Sequence, residues 1–476
     1  MPRRRSGRRS RSTPGRAPGS HGVDRFDFVV IGAGPAGEAA AGEGRRREQT
    51  VAVVDRELFG GACPFWACMP SKSLLHAAAI HALGGDYDWQ HASDRRDYMI
   101  NREDRDTPDD SSHVESLRKI GAEPIRGEAR LTGPGRVAVA MKDGGERTLE
   151  ARHVILAVGS HTKRPLIDGL EDVEPWTNRE ATGARRLPRS LVSLGGGPTG
   201  VELSQVYARY GVPVALVESN PRVLARDHAR NSESVRHGLE RDGVDVRTGV
   251  RAERVHARAG KNEAHRVELS DGSAVEGHEI LLAIGREFPL GDLGLDSVGL
   301  DPGRIEHDGR LRLADGLWVV GDPAGPELHT HVSHYQGELA VRMALGDPVR
   351  PDYSAIPRCT YTDPEAAFVG LSIEQAREAG HDCFELVADL ATSSKGYVAE
   401  VTEGHVTIVV DQAESRLLGA AIAGVGGTEV IHEAVLAIKT STPLSVLADT
   451  IHAFPTTARV MGGLFADAER QLHGAA

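Results

Sequence analysis

The stretch Phe26-Asp27-Phe28-Val29-Val30-Ile31-Gly32-Ala33-Gly34-Pro35-Ala36-Gly37 decides how this chain folds. Phe26–Ile31 is largely apolar, as a strand buried on both faces must be. It runs directly into a Gly-x-Gly-x-x-Gly loop at Gly32, Gly34 and Gly37, and the alanine-rich Glu38–Gly42 continues as a helix. Thr50–Val54 then reads as a second strand, closed by Asp55. Strand, glycine loop, helix and a strand ending in an acid make a dinucleotide-binding unit. The first glycine makes the tight turn, the second lets backbone approach a pyrophosphate, and the third lets helix and strand pack closely. The helix N-terminus supplies free N–H groups and a partial positive charge to the phosphates.

The same pattern returns further on. Ser190–Leu194 leads into Gly195-Gly196-Gly197-Pro198-Thr199-Gly200, a helix from Val201, and a strand Val214–Val217 ended by Glu218. In both copies the first glycine and the acid are 23 residues apart. Glycines serving only as turn residues would not explain why the acid recurs at that distance. Two bound dinucleotides are therefore expected. Gly32, Gly34, Pro35, Ala36, Gly37 and Asp55 would hold one, and Gly195, Gly197, Thr199, Gly200 and Glu218 the other, with both acids accepting hydrogen bonds from ribose hydroxyls.

A chain of 476 residues exceeds a single core and suggests about three domains. No apolar run approaches the roughly 18 residues that cross a bilayer, so no membrane partner is expected. Cys63, Cys68, Cys359 and Cys383 are too few for a secreted disulfide scaffold, which points to a reducing cytoplasm. Residues 1–24 carry seven arginines against one aspartate, so the rest is more acidic than the net charge of −12 suggests. An acidic body is a poor nucleic-acid binder. The Arg/Ser/Pro/Gly tail over residues 1–24 reads as disordered and functionally bland, with no apolar stretch to make it a secretion signal. No metal site is expected.

Outward from the two loops, His153–Ser160 and Glu279–Arg286 look like crossover strands between two nucleotide domains. Leu317–Val320 is a further strand ending in Gly321-Asp322, and from Tyr353 the composition changes to that of a third, α+β domain. The fold class expected is α/β: two doubly wound, Rossmann-like nucleotide-binding domains plus a C-terminal α+β domain.

Shortly after Asp55 comes Gly60-Gly61-Ala62-Cys63-Pro64-Phe65-Trp66-Ala67-Cys68-Met69-Pro70-Ser71-Lys72. In a regular helix two residues five apart stand about 7.5 Å apart along the axis, on different faces, so a bridge between the two sulfurs needs an irregular first turn. Pro64 suits such a start, biasing Cys63 towards an extended backbone. The bland alternative is two reduced, buried thiols. Here the chain resembles the pyridine nucleotide-disulfide oxidoreductases, the family of lipoamide dehydrogenase, glutathione reductase and mercuric reductase. The resemblance runs from about Phe26 to about Ala466, and includes Gly321-Asp322 and Tyr361-Thr362-Asp363-Pro364-Glu365.

That resemblance implies a glutathione reductase-like fold with an FAD domain over 25–165 and 284–352, an NAD(P) domain over 166–283 and a dimer-interface domain over 353–476. It implies bound FAD, NAD(P)H as reductant and a homodimer. It makes Cys68 the flavin-side thiol and Cys63 the interchange thiol. Lys72 and Glu202 become an ion pair beside the flavin N5. Asp322 would bind the ribityl chain, and the helix starting near His331 would aim its N-terminus at the flavin N1–C2 carbonyl edge. Arg56, Gly61, Ala62, Ala129, Gly159, Ser160, Gly285, Arg286 and Gly321 join the expected cofactor contacts.

The chain also departs from the family. Thiol-reducing members carry a His-Pro-Thr followed by a Glu, supplied by the partner subunit as acid–base dyad. Here Phe454 stands where that histidine belongs and Arg459 where the glutamate does. His452, two residues away, would substitute only with a different backbone. Glu469–Ala476 holds no cysteine, against the branches that use a C-terminal pair, and Cys359 and Cys383 read as core thiols. Glu218 favours NADH over NADPH, since it would repel a 2′-phosphate, although Arg222 lies near enough to pair with one. The electron acceptor is left open between a small disulfide reached through Cys63 and Cys68 and a quinone-like acceptor that bypasses them. A non-catalytic flavin-binding role is the third alternative.

Overall fold

The computed structural model describes residues 23–260 and 262–474. The expectation of a disordered tail over 1–24 lies outside these residues except at its end, where Asp24 already opens the first strand. Asp24 pairs there with Leu149, and its carboxylate meets Arg147 Nη2 at 2.8 Å.

Asp24–Ile31 is the central strand of a seven-stranded sheet. Val51–Asp55 lies parallel on one side and Glu146–Leu156 parallel on the other. The parallel core is completed by Glu123–Gly133 beyond the first neighbour and Leu317–Val319 beyond the second. Phe28, Val29 and Val30 are fully buried, as a strand covered on both faces requires. Arg136–Met141 is antiparallel to both long strands Glu123–Gly133 and Glu146–Leu156.

The second sheet is parallel throughout, in the order Glu279–Leu282, Leu191–Leu194, Val214–Glu218, Asp245–Thr248. A three-stranded antiparallel sheet, Ala252–His256, His265–Leu269 and Ala274–Gly277, shares a core with it. The third sheet has five antiparallel strands, in the order Arg358–Thr360, Ala366–Gly370, Arg416–Ala423, His405–Asp411, Cys383–Asp389. It packs on the helices Gly427–Lys439 and Thr457–His473.

The two expected crossover strands divide differently. His153–Leu156 ends a strand of the first sheet, where Val154, Ile155 and Leu156 are buried, and Glu279–Leu282 is an edge strand of the second. Each segment then leaves its sheet through a glycine with positive φ, Gly159 (63°) and Gly285 (122°). The connection itself is a two-stranded antiparallel ribbon, His161–Thr162 with Arg286–Glu287. Apolar character runs on through Ala157-Val158 and Ala283-Ile284, past the last strand residues Leu156 and Leu282, and so conceals where each strand ends. Among the described residues no helix is long and apolar enough to cross a membrane.

Candidate active site

Both glycine loops open onto one cleft of about 1870 Å³, which also reaches the cysteine segment and the strand Arg358–Thr360. The helices Pro35–Arg46 and Pro198–Arg209 start after Gly34 and Gly197, and neither start has a side-chain cap. Their first-turn N–H groups are thus left for a ligand, as a pyrophosphate needs. Gly61, at φ +69°, lies against the first loop: a Cβ there would stand 2.7 Å from Gly34 Cα. These features fit two dinucleotides: Asp55, Gly61, Ala129 and Asp322 would serve the one at the Gly32 loop, and the Gly195 loop would take the other.

The expected contacts line this cleft with two exceptions, Gly37 and Gly200. A Cβ on either would lie 1.9 Å from the carbonyl oxygen of its loop's first glycine, Gly32 or Gly195. They are close-packing positions between helix and loop, the part that the third glycine of such a loop plays. The acids have a second task besides the ribose. Asp55 Oδ2 accepts from Ala33 N at 2.7 Å and Oδ1 from Glu57 N at 2.7 Å. Glu218 accepts from Gly196 N, Asn220 N and Asn220 Nδ2, each at 2.6 Å. Each carboxylate thereby braces the glycine loop that it borders. Arg222 is turned away from the cleft, donating to Asp227 O, Ser232 Oγ and Ala225 O, each at 3.0 Å. Arg226 and Arg251 do line the cleft, Arg251 being paired with Glu253 at 3.0 Å.

The cysteine segment is broken as the spacing requires, but not at Cys63, which lies with Pro64 inside a helical turn instead of on extended backbone. One helical turn covers Ala62–Trp66, Ala67 departs from helical geometry at φ −129°, ψ −102°, and a new helix runs Cys68–Ala82. The break brings the two sulfurs into hydrogen-bonding contact, both as free thiols. Their proton affinities separate. The hydrogen bond from Cys63 holds Cys68 down at about 6 against its burial, helped by the Thr330 hydroxyl and the charge of Lys72. Cys63 is pushed up, first by that same bond and then by burial. Cys68 is therefore the thiolate of the pair and Cys63 the thiol, and Thr330 Oγ1 lies 3.4 Å from Cys68 Sγ.

Lys72 Nζ donates to both oxygens of Glu202, at 3.0 and 2.8 Å. Tyr361 N donates to Glu202 Oε1 at 3.0 Å, and the Tyr361 ring lies 4.7 Å from Lys72 Nζ. Asp322 accepts from the Ser160 hydroxyl, whose oxygen also receives Arg286 Nε at 2.5 Å. Thr330 and Tyr361 were missed by the sequence reading as site residues. Tyr361 stands inside a quoted motif, but nothing in its spacing ties it to Lys72, 289 positions earlier in the chain. Cys359 packs against the core of the third sheet, as expected of a core thiol, and also reaches the cleft wall, with burial pushing it up to about 12. Cys383 is buried. Among the described residues no group of three or more His, Cys, Asp or Glu is placed to hold a metal ion.

At the C-terminal end Phe454 is 73% exposed and Ile451 97% exposed, while Arg459 is an exposed charge. His452, two residues from Phe454, is held within its own domain. Its side chain is buried, with Nε2 2.8 Å from Glu433 Oε1 and Nδ1 2.9 Å from Thr450 O. Both nitrogens are engaged within its own domain.

Residues 26–337 match the family described as pyridine nucleotide-disulphide oxidoreductase, and 356–464 match its dimerisation domain. The dihydrolipoyl dehydrogenase of Chlorobaculum tepidum is 33% identical over 451 residues, covering 91% of this chain and 94% of that protein. That of Rhizobium etli is 30% identical over 488 residues, covering 94% and 98%. Among solved structures, the HOCl-induced flavoprotein disulfide reductase RclA from Escherichia coli superposes with a TM-score of 0.81 at 25% identity, covering 93% of this chain and 99% of that one.

Proposed function

The chain belongs to the pyridine nucleotide-disulphide oxidoreductase family and is a flavin-dependent NAD(P)H oxidoreductase acting on sulfur groups, and on that premise we propose that it takes electrons from NADH and delivers them through Cys68 and Cys63 to a small disulfide. The carrying observation is the broken helix at Ala67, which brings Cys63 and Cys68 together on the cleft wall, Cys68 being the more acidic of the two. FAD, when bound, takes a hydride equivalent from the nicotinamide and passes the electron pair to sulfur. The thiolate of Cys68 faces that exchange, steadied by Thr330 and by Lys72. Cys63 keeps its proton until a substrate disulfide arrives, then attacks one of its sulfurs as the thiolate, its proton passing to the substrate sulfur that departs; the Cys68 thiolate next attacks Cys63 Sγ, the Cys63–Cys68 bond forms, and the second substrate sulfur leaves and takes a proton from solvent.

NADH is the preferred reductant in this reading, because Glu218 borders the second loop while Arg222 is tied down elsewhere. The active form is a homodimer in a reducing compartment. Leu436, Val446, Ile451 and Phe454, all exposed on the third domain, would be covered by a second copy. A stable, active monomer on gel filtration would refute the dimer.

A second reading has one observation in its favour. An exposed phenyl ring at Phe454, in place of an acid–base group, suits a flat quinone-like acceptor better than a thiol leaving group. Cys63→Ser separates the two. It should abolish turnover of disulfides in an NADH-dependent screen and leave quinone reduction standing. Full activity of Cys63→Ser and Cys68→Ser on the best acceptor found would replace the dithiol route by the quinone one.

A further inference from the structure

One imidazole on the cleft wall has no part in the electron route above. His329 precedes the helix Thr330–Ala344 and makes no capping bond. Its side chain is three-quarters buried, and its ring is stacked on that of His331 with centroids 5.0 Å apart. Nε2 is enclosed, without a hydrogen-bond partner, and 3.9 Å from Glu327 Oε2. Glu327 is anchored in turn by Arg358, whose Nε donates to Oε1 at 3.0 Å. The other ring nitrogen, Nδ1, is not among the enclosed, unpartnered atoms, and His329 lines the cleft. The next residue, Thr330, is the one whose hydroxyl meets Cys68. A carboxylate behind one nitrogen and the cleft beside the ring is the layout of an oriented proton acceptor.

We propose that His329 holds the proton that balances reduction of the bound cofactor: Nε2 keeps its hydrogen towards Glu327, and Nδ1 takes a second from solvent when an electron pair enters the cleft. The inference rests on FAD occupying the cleft. The electron pair comes from NADH as a hydride, the added proton comes from water, and the imidazolium offsets the negative charge left in the site. The surroundings set the balance. Glu327 and Asp322 favour the charged ring, whereas Arg358 and Lys72 oppose it. His331 stacks on it, and His432 faces His331 from the helix Gly427–Lys439. Burial is the largest influence and holds the imidazole below its usual range, so the ring is neutral until new negative charge arrives.

Histidine NMR on the FAD-loaded protein tests this, with FAD occupancy read first from visible absorbance. The Cε1–H signal lost in His329→Gln should titrate at least one pH unit higher after anaerobic dithionite reduction than before, a tenfold gain in proton affinity. A second measurement does not need that variant: proton uptake on reduction, followed with an indicator dye in weak buffer, should be larger in the wild type than in Glu327→Gln. A His329 titration unmoved by reduction, or equal uptake in the two proteins, overturns the proposal. Colourless protein that FAD cannot reconstitute overturns the cofactor reading along with it.

Discussion

Lys72 and Glu202, 130 residues apart, form a two-pronged ion pair that ties the cysteine helix to the helix of the second glycine loop. The pair is asymmetric: the Lys72 side chain is 35% exposed and that of Glu202 only 4%. Backbone from the third domain completes it, since Tyr361 N donates to the same carboxylate. Three separate stretches of chain therefore meet on one buried acid.

Removing the cation should cost more than removing the pair. Lys72→Met leaves Glu202 charged, buried and half-satisfied. Breaking a buried pair from one side costs about 3–5 kcal/mol, and partial exposure of Lys72 should reduce this to roughly 2 kcal/mol. Adding Glu202→Gln removes the stranded charge and keeps an oxygen for Tyr361 N. The double variant should recover about half the loss in urea unfolding. A double variant no more stable than Lys72→Met would show that the carboxylate charge is not the penalty.

The thiolate should follow a defined pH course. The ordinary thiol value is about 8.5, and Cys68 lies below it at about 6. A depressed value means that the native state binds fewer protons, so the thiolate is present at pH 7 and is lost as pH falls through about 6. The long-wavelength band of the two-electron-reduced, FAD-loaded protein should fade with that midpoint. Because the hydrogen bond from Cys63 is the leading cause, Cys63→Ala should raise the midpoint. No change in that variant would assign the depression to Thr330 and Lys72 instead.

Much of this site was legible because its spacing is local. The glycine loops, the acids 23 residues on and the two cysteines each sit within one short stretch, and backbone geometry carries such signals directly into structure. That the helix must be irregular between the two sulfurs followed from their reach, whereas its position at Ala67, beyond the turn holding Cys63 and Pro64, did not. Contacts made by topology were harder to read. Thr330 reaches Cys68 across 262 residues, and no periodicity reports a hydroxyl's partner. Within each loop the motif does not say which glycines face the cleft and which pack helix on loop, and only the surroundings set Gly37 and Gly200 apart from the others.

Nucleotide preference should depend on Glu218 in two ways. Its carboxylate braces Gly196 and Asn220, and in the proposed reading it would also face a ribose hydroxyl or a 2′-phosphate. Glu218→Ser should therefore raise the KM for NADH about tenfold, the loss of roughly one charged hydrogen bond, and narrow the gap to NADPH. Steady-state kinetics with both nucleotides check this. A wild type that prefers NADPH would mean that Arg226, on the cleft wall, outweighs the acid.

Gly61 offers the sharpest test of how the cysteine segment and the first glycine loop share one site. It has φ +69°, which costs an alanine about 1–2 kcal/mol, and the added Cβ would stand 2.7 Å from Gly34 Cα. Gly34 is backbone at the start of the first loop helix, so the contact cannot be relieved by a side-chain rotation. Either Cys63 moves with its helical turn or the loop moves away from the phosphates. Both outcomes damage function while leaving the sheets intact. Gly61→Ala should thus keep its far-ultraviolet circular dichroism but bind FAD at least tenfold more weakly in a titration of apoprotein. The Cys68 band should weaken in whatever fraction still binds. FAD affinity within about twofold of wild type would mean that the two segments are mechanically independent.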